Sequence, residues 1–139
     1  MRSNKNDNSH TALLGARVLI VEDDALLLME LESILQDAGA EIMGCCRNVA
    51  DALRALEQNE VSVAILDVRI GHTTIAPVAR GLAKRGIPFL FYTGQVENDP
   101  TLAEWAGHVV LSKPARPAAI VETVASLLPQ PAASPMLCK

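Results

Sequence analysis

The stretch Arg17-Val18-Leu19-Ile20-Val21-Glu22-Asp23-Asp24 runs a continuous apolar segment straight into three consecutive acids. An apolar run without polar alternation marks a strand buried on both faces, and such strands belong to parallel sheets covered by helices. The period then changes. Leu27, Leu31, Ile34, Leu35 and Ala38 recur at helical spacing before Gly39 stops the helix. Strand, acidic turn and helix therefore form one βα unit.

The unit recurs down the chain. Residues 40–45 read as a weaker strand, and 49–58 as a helix with Ala52, Leu53 and Leu56 on one side. Residues 61–66 read as a buried strand, followed by a helix over about 75–85 that tolerates Pro77 only in its first turn. Residues 87–92 form a fourth strand. Asp99-Pro100 pairs a side-chain cap with Pro at the first helical position, predicting a short helix to Ala106. Residues 109–111 make a fifth strand, and Pro117 opens a last helix to about Leu128. Five such units, with right-handed crossovers, favour an α/β fold with a doubly wound five-stranded parallel sheet, because they are too few to close an eight-stranded barrel.

The chain's 139 residues suit one domain. Residues 1–14, rich in Asn and Ser, and 129–139, rich in Pro and Ala, read as flexible tails around a folded part at 15–128. The formal charge of -4 without a basic block argues against nucleic acid or an anionic membrane as the direct partner. Cys45 and Cys46 are adjacent and Cys138 stands in the tail, so none has zinc or redox spacing. The polar first residues are not a signal peptide, and the apolar runs fall well short of the ~20 residues that span a bilayer. The expectation is a soluble, cytoplasmic protein with reduced thiols.

In sheets of this kind ligands bind at the carboxyl ends of the strands. Glu22, Asp23 and Asp24 follow the first apolar run, Asp67 the third, Thr93-Gly94 the fourth and Ser112-Lys113-Pro114 the fifth. Acids converging on one rim repel unless one takes up a proton or a divalent cation binds between them. A small, open set of oxygen ligands suits Mg²⁺, which keeps waters and meets phosphate. With Lys113 as a point charge and Thr93 as a hydroxyl, these parts compose a phosphoryl-transfer site with a carboxylate nucleophile.

At these residues the chain resembles the receiver domain of two-component response regulators over about residues 16–128. The matching pieces are Val-Glu-Asp at 21–23, Leu-Asp-Val at 66–68, Tyr-Thr-Gly at 92–94 and Ser-Lys-Pro at 112–114. The resemblance implies the flavodoxin-like strand order 2-1-3-4-5. It also implies phosphorylation at Asp67 by a sensor histidine kinase or histidine phosphotransfer protein. Glu22, Asp23, Asp67 and the backbone carbonyl of Arg69 would ligate Mg²⁺. Thr93 and Lys113 would serve as switch and phosphoryl contacts, with Pro114 as a cis proline orienting the lysine. Arg69 and Gln95 occupy positions that tune phosphoryl lifetime in the family, and an ordinary solvated side chain fits them equally well.

The pattern departs from the family at two places. Ile70-Gly71-His72-Thr73-Thr74 stands where a Met-Pro element is common, and Val110 where an aromatic precedes the lysine by three. Pro88-Phe89-Leu90-Phe91-Tyr92-Thr93-Gly94 resembles a Pro-Phe-x-Phe-x-Thr-Gly subgroup found among stand-alone receivers.

Bland roles compete with functional ones. Asp24 reads as a helix cap rather than a ligand, and His72 as a loop residue. Phe89 and Phe91 read as core filling. Tyr92 and Trp105 fit either the core edge or an anchor for a partner, and with Val110 they mark the output face of the fourth helix, fifth strand and fifth helix. That face would contact an unknown downstream protein or a second copy of the chain. The expectation is a stand-alone phosphoaspartate switch rather than a metabolic enzyme. Three other classes remain. A haloacid-dehalogenase-type hydrolase, a Mg²⁺-dependent phosphatase with an aspartate nucleophile, wants a second acid where Arg69 stands. A flavodoxin-type flavin carrier is opposed by the acids after the first strand. A pseudo-receiver that works without phosphorylation is opposed by the complete site and left open by Val110 and the altered loop.

Overall fold

The computed structural model describes residues 10–94 and 99–129. In chain order the elements are β1 (Arg17–Val21), α1 (Ala25–Asp37), β2 (Glu41–Cys46), α2 (Val49–Gln58), β3 (Val63–Leu66), β4 (Arg69–Ile70), β5 (Thr73–Thr74), α3 (Ala76–Lys84), β6 (Phe89–Thr93), α4 (Pro100–Glu104), β7 (Val109–Ser112) and α5 (Pro117–Leu127). Five strands pair in parallel in the order β2-β1-β3-β6-β7, which is the 2-1-3-4-5 order of the flavodoxin-like fold when only these five are counted. Strand order reverses between β1 and β3, so the binding crevice opens beyond Val21 and Leu66.

The continuous apolar strands are central ones, as their composition requires. β3 and β6 are buried throughout, and β1 from Val18 onward. Side chains alternate between two cores. Leu19, Val21, Leu66 and Phe91 face α2 and α3, where Ala52, Leu56, Val78 and Leu82 meet them. Val18, Ile20, Ile65 and Tyr92 face α1 and α5, against Leu31, Leu35, Ile120 and Val124. The weaker second strand is an edge, largely half-buried. Its register slips by one residue, with Val18 opposite Ile42 but Leu19 opposite Gly44. A Cβ at Gly44 would stand 3.2 Å from that of Ala55, so glycine at this bulge lets α2 lie close to the sheet.

Both ends of α1 are built from local chemistry. Asp24 accepts at one carboxylate oxygen from the N–H groups of Leu26 and Leu27, at 3.0 and 3.2 Å. At the other end Ala40 N–H donates to the Leu35 carbonyl and Gly39 N–H to that of Gln36, a Schellman closure with Gly39 at φ +101°.

The structure changes several expected boundaries. Packing begins before residue 15: Leu13 is fully buried and its N–H donates to the Ala38 carbonyl. α4 ends at Glu104 rather than Ala106. The stretch after Asp67, read as loop, contains the antiparallel β4–β5 hairpin, whose turn places Gly71 at φ +63°.

Cys45 is exposed and Cys46 buried, and both are reduced. Although the Cys45 residue is exposed, its thiol is partly desolvated, and this, reinforced by the Glu32 carboxylate beside it, pushes it up to about 12. Burial, with Asp51 adding to it, pushes Cys46 up to about 11. Neither has the thiolate character of a redox sensor.

Two predictions follow from these packing details. Gly39→Ala places a Cβ 3.0 Å from the His10 carbonyl oxygen in a left-handed conformation, and should cost about 1–2 kcal/mol, read as a lower urea midpoint at unchanged slope. Alkylation of Cys45 at pH 8 should be far slower than that of a free thiol and should accelerate on Glu32→Gln; equal rates in the two proteins would refute the role given to Glu32.

Candidate functional site

The crevice at the reversal point collects the acids. Glu22 follows β1, donates its N–H to the Cys46 carbonyl at 2.9 Å, and is only 2% exposed. Asp67 follows β3 and donates its N–H to the Val21 carbonyl at 3.0 Å, so its backbone continues the sheet pairing past the last strand residue. Asp23 turns across the opening, and its Oδ2 accepts from Gly71 N–H at 2.9 Å. One carboxylate oxygen from each of Glu22, Asp23 and Asp67 lies within 4.8 Å of the others.

Lys113 reaches this cluster from the end of β7. Its Nζ lies 2.9 Å from Glu22 Oε1 and 2.9 Å from Asp67 Oδ2. The lysine is held from behind as well. Its N–H donates to the Thr93 carbonyl at 3.0 Å, its ammonium lies 5.8 Å from the Tyr92 ring centre, and the Lys113–Pro114 peptide is cis. The Tyr92 hydroxyl accepts from Ala115 N–H at 3.1 Å, fixing the turn just beyond. Thr93 closes β6 at the same rim and is buried.

The electrostatics are those of a crowded anionic pocket. Burial pushes the Glu22 carboxyl up, opposed by its hydrogen bonds to Lys113 and Asp24 N–H and assisted by the charge of Asp67. Burial works against charge on Lys113, but hydrogen bonds to Asp67 and Glu22 outweigh it and leave the ammonium raised. Three carboxylates facing one ammonium leave an excess of negative charge. Hard oxygen donors at this spacing fit a small divalent cation, and Lys113 occupies part of the space between them.

The remaining predicted residues divide clearly. Asp24 is committed to capping α1 and leaves the cluster to its neighbours. Arg69 lies on β4, half-exposed, and its Nε contacts Asp99 Oδ2 at 3.4 Å. Gln95 lies outside the described residues. Tyr92 is a correction to the proposed output face: at 3% exposure it belongs to the core against α1 and α5 and supports Lys113 instead of meeting a partner. Trp105 is half-buried edge-on against Phe89, with an indole N–H that has no hydrogen-bond partner among the described residues. Val110 is 38% exposed on β7. His72 is an exposed turn residue, whereas His108 stacks on Phe89 at 4.5 Å. His10 contacts the Asp37 carbonyl at 3.3 Å, far along the chain from the rim.

Arg47 was not singled out by sequence reasoning. It directly follows β2 and donates through Nε and Nη2 to the Asp23 carbonyl, at 3.1 and 2.9 Å. Its place beside the acidic turn, one strand over, was the available signal. Gly71 was missed as a donor because only the hairpin aims its N–H at Asp23.

Comparison with known proteins agrees with this geometry. Residues 18–125 match the model of the response regulator receiver domain. SdrG from Sphingomonas melonis Fr1, solved in solution, is 36% identical, with TM-score 0.70 over 84% of this chain and 97% of that one. The transcriptional regulatory protein PdtaR of Mycobacterium tuberculosis is 32% identical over 89 residues, which are 63% of this chain and 43% of that protein. The phyllosphere-induced regulator PhyR of Methylorubrum extorquens is 24% identical over 118 residues, 83% of this chain and 44% of the regulator. The chain thus spans less than half the length of these two curated relatives. Among the described residues no helix is long and apolar enough to cross a membrane. With the acidic cluster and the lysine both lying within that match, the chain belongs to the response regulator receiver domain family.

Proposed function

We propose that this receiver is a phosphorylation switch in which Asp67 accepts a phosphoryl group from a histidine kinase or a histidine phosphotransfer protein. The observation that carries the reading is the convergence of Glu22, Asp23, Asp67 and Lys113 from three separate strand ends onto one point. With Oδ2 held by Lys113, the other Asp67 oxygen is presented to the donor. That oxygen forms the O–P bond as the N–P bond of a phosphohistidine breaks, and the electron pair leaves on the imidazole nitrogen, which takes a proton. Lys113 then pairs with a phosphoryl oxygen, and the buried Thr93 hydroxyl is the hydrogen-bond donor on the β6 side.

Glu22, Asp23 and Asp67, together with the backbone carbonyl of Arg69, would hold Mg²⁺. Bound there, it supplies positive charge to the phosphoryl oxygens as negative charge develops on them. Asp23 is held ready by Gly71 N–H on its carboxylate and by Arg47 on its carbonyl. The protein's own catalysis is limited to its phosphorylation and dephosphorylation.

Partner contacts are supported at two surfaces. α1 leaves Leu26 and Met29, one helical turn apart, 69% and 65% exposed beside the acidic turn, which suits an apolar helix of a phosphodonor protein. On the opposite flank β7 is an edge strand whose Val109 and Val110 are both exposed, one toward each side of the sheet, an edge suited to a downstream protein or a second copy of the chain.

Intact mass after incubation with a small-molecule phosphodonor and Mg²⁺ tests the reading. One phosphoryl adduct is expected on the wild type, and none on Asp67→Asn or with the cation removed. Absence of the adduct, together with absence of any beryllofluoride response, would instead support a receiver that signals without phosphorylation. A second test needs no donor. Mg²⁺ at ten times its dissociation constant should stabilise the protein by about 1.4 kcal/mol and raise Tm by roughly 5 °C. Asp23→Asn should abolish that shift, and a shift of full size in this variant would remove Asp23 from the ligand set.

A further inference from the structure

Arg69 and Asp99 form an ion pair whose two ends are unequal. The guanidinium side chain is 56% exposed, whereas the Asp99 side chain is only 3% exposed. Their contact, through Nε at 3.4 Å, is longer than a strong charge-assisted hydrogen bond. Asp99 has a second task. Its Oδ1 accepts from Thr101 N–H at 2.9 Å and so caps α4. The pair therefore ties β4, two residues beyond Asp67, to the start of α4 on the far side of β6.

We infer that Arg69 is an exchangeable cation, paired with Asp99 while Asp67 is unmodified and drawn to the phosphoryl group once Asp67 carries one. The inference rests on the reading of Asp67 as phosphoacceptor. A phosphoryl group presents more negative charge than a single carboxylate and three acceptor oxygens, and it is created within two residues of the arginine. Being half in water and held by one long contact among the described residues, Arg69 gives up little on leaving. Asp99 gives up more, because its carboxylate would remain buried with the Thr101 N–H as its one donor among the described residues. The compensating response is for the first turn of α4 to open toward water. α4 has only five residues, Pro100–Glu104, and ends at Trp105, so a change at its cap is felt along its whole length. Phosphorylation at the strand ends would thus reach the α4–β7 surface through one exchanged ion pair.

The test is calorimetric titration of beryllofluoride with Mg²⁺ into the full chain and its variants. Asp99→Asn keeps the cap oxygen but removes the competing charge, and should bind about fivefold tighter than wild type. Asp99→Ser, which also caps, repeats the measurement should the amide disturb folding. Arg69→Gln should bind about tenfold weaker, and adding Asp99→Asn to it should bring no further change. Tighter binding in both Asp99 variants with no gain in the double variant supports the exchange. Wild-type or weaker binding in those variants overturns it, since a merely structural pair would lower stability without raising affinity. No binding by the wild type would overturn the phosphoacceptor reading itself, and the exchange with it.

Discussion

The two 2.9 Å contacts of Lys113, to Glu22 and to Asp67, join the ends of β1, β3 and β7 at one point. Two carboxylates about 4 Å apart repel by roughly 4 kcal/mol at the effective dielectric near a protein surface. Here three of them meet at the mouth of a parallel sheet, and Glu22 is almost wholly removed from water. The lysine offsets that repulsion and keeps the crevice assembled. It does so with one positive charge against three negative ones, so the pocket keeps an appetite for further cationic charge. That excess of negative charge is what suits the site to a cation.

The framework around the lysine explains why one side chain suffices. Its backbone is hydrogen-bonded to Thr93, its ammonium lies near the Tyr92 ring, and Tyr92 in turn holds Ala115. Arg47 and Gly71 perform the same service for Asp23 from the other side. These supports come from β2, the β4–β5 hairpin, β6 and β7, so the charged cluster is braced by most of the strands that surround it. Such bracing confines the acids to positions they would not choose in water.

The parts of this arrangement visible in the sequence were those governed by local rules. Apolar runs at residues 17–21 and 61–66 announced buried strands, Asp24 and Gly39 announced helix ends, and the polar residue following each run announced the rim. Tyr92 shows where such reading stops: alternation along β6 sends its ring toward α1 and α5, and only the three-dimensional path of the Lys113 turn shows that its hydroxyl has a partner there. The β4–β5 hairpin was illegible because strands of two residues carry no periodic signal. Leu13 was hidden in a polar terminus because its burial depends on the distant Ala38 carbonyl. Arg47 and Asp99 were visible as residues, but their partners lie 24 and 30 positions away along the chain.

The bracing is also uneven, and the unevenness has a direction. Asp23 is held by two donors from Arg47 beyond β2 and one from Gly71 in the β4–β5 turn, at 2.9–3.1 Å. On the α4 side the ion-pair ties among the described residues are longer: Arg69 to the buried Asp99 at 3.4 Å and Arg80 of α3 to Glu104 at 3.6 Å, each through a half-exposed arginine. Beyond them lie a five-residue helix, an indole N–H without a partner among the described residues and an edge strand with two exposed valines. Elements with few buried contacts open first when charge is redistributed, because least free energy opposes them. A perturbation introduced at Asp67 therefore has a stiff wall on one flank and a compliant one on the other. The compliant flank ends at edge strand β7, where Val109 and Val110 are exposed.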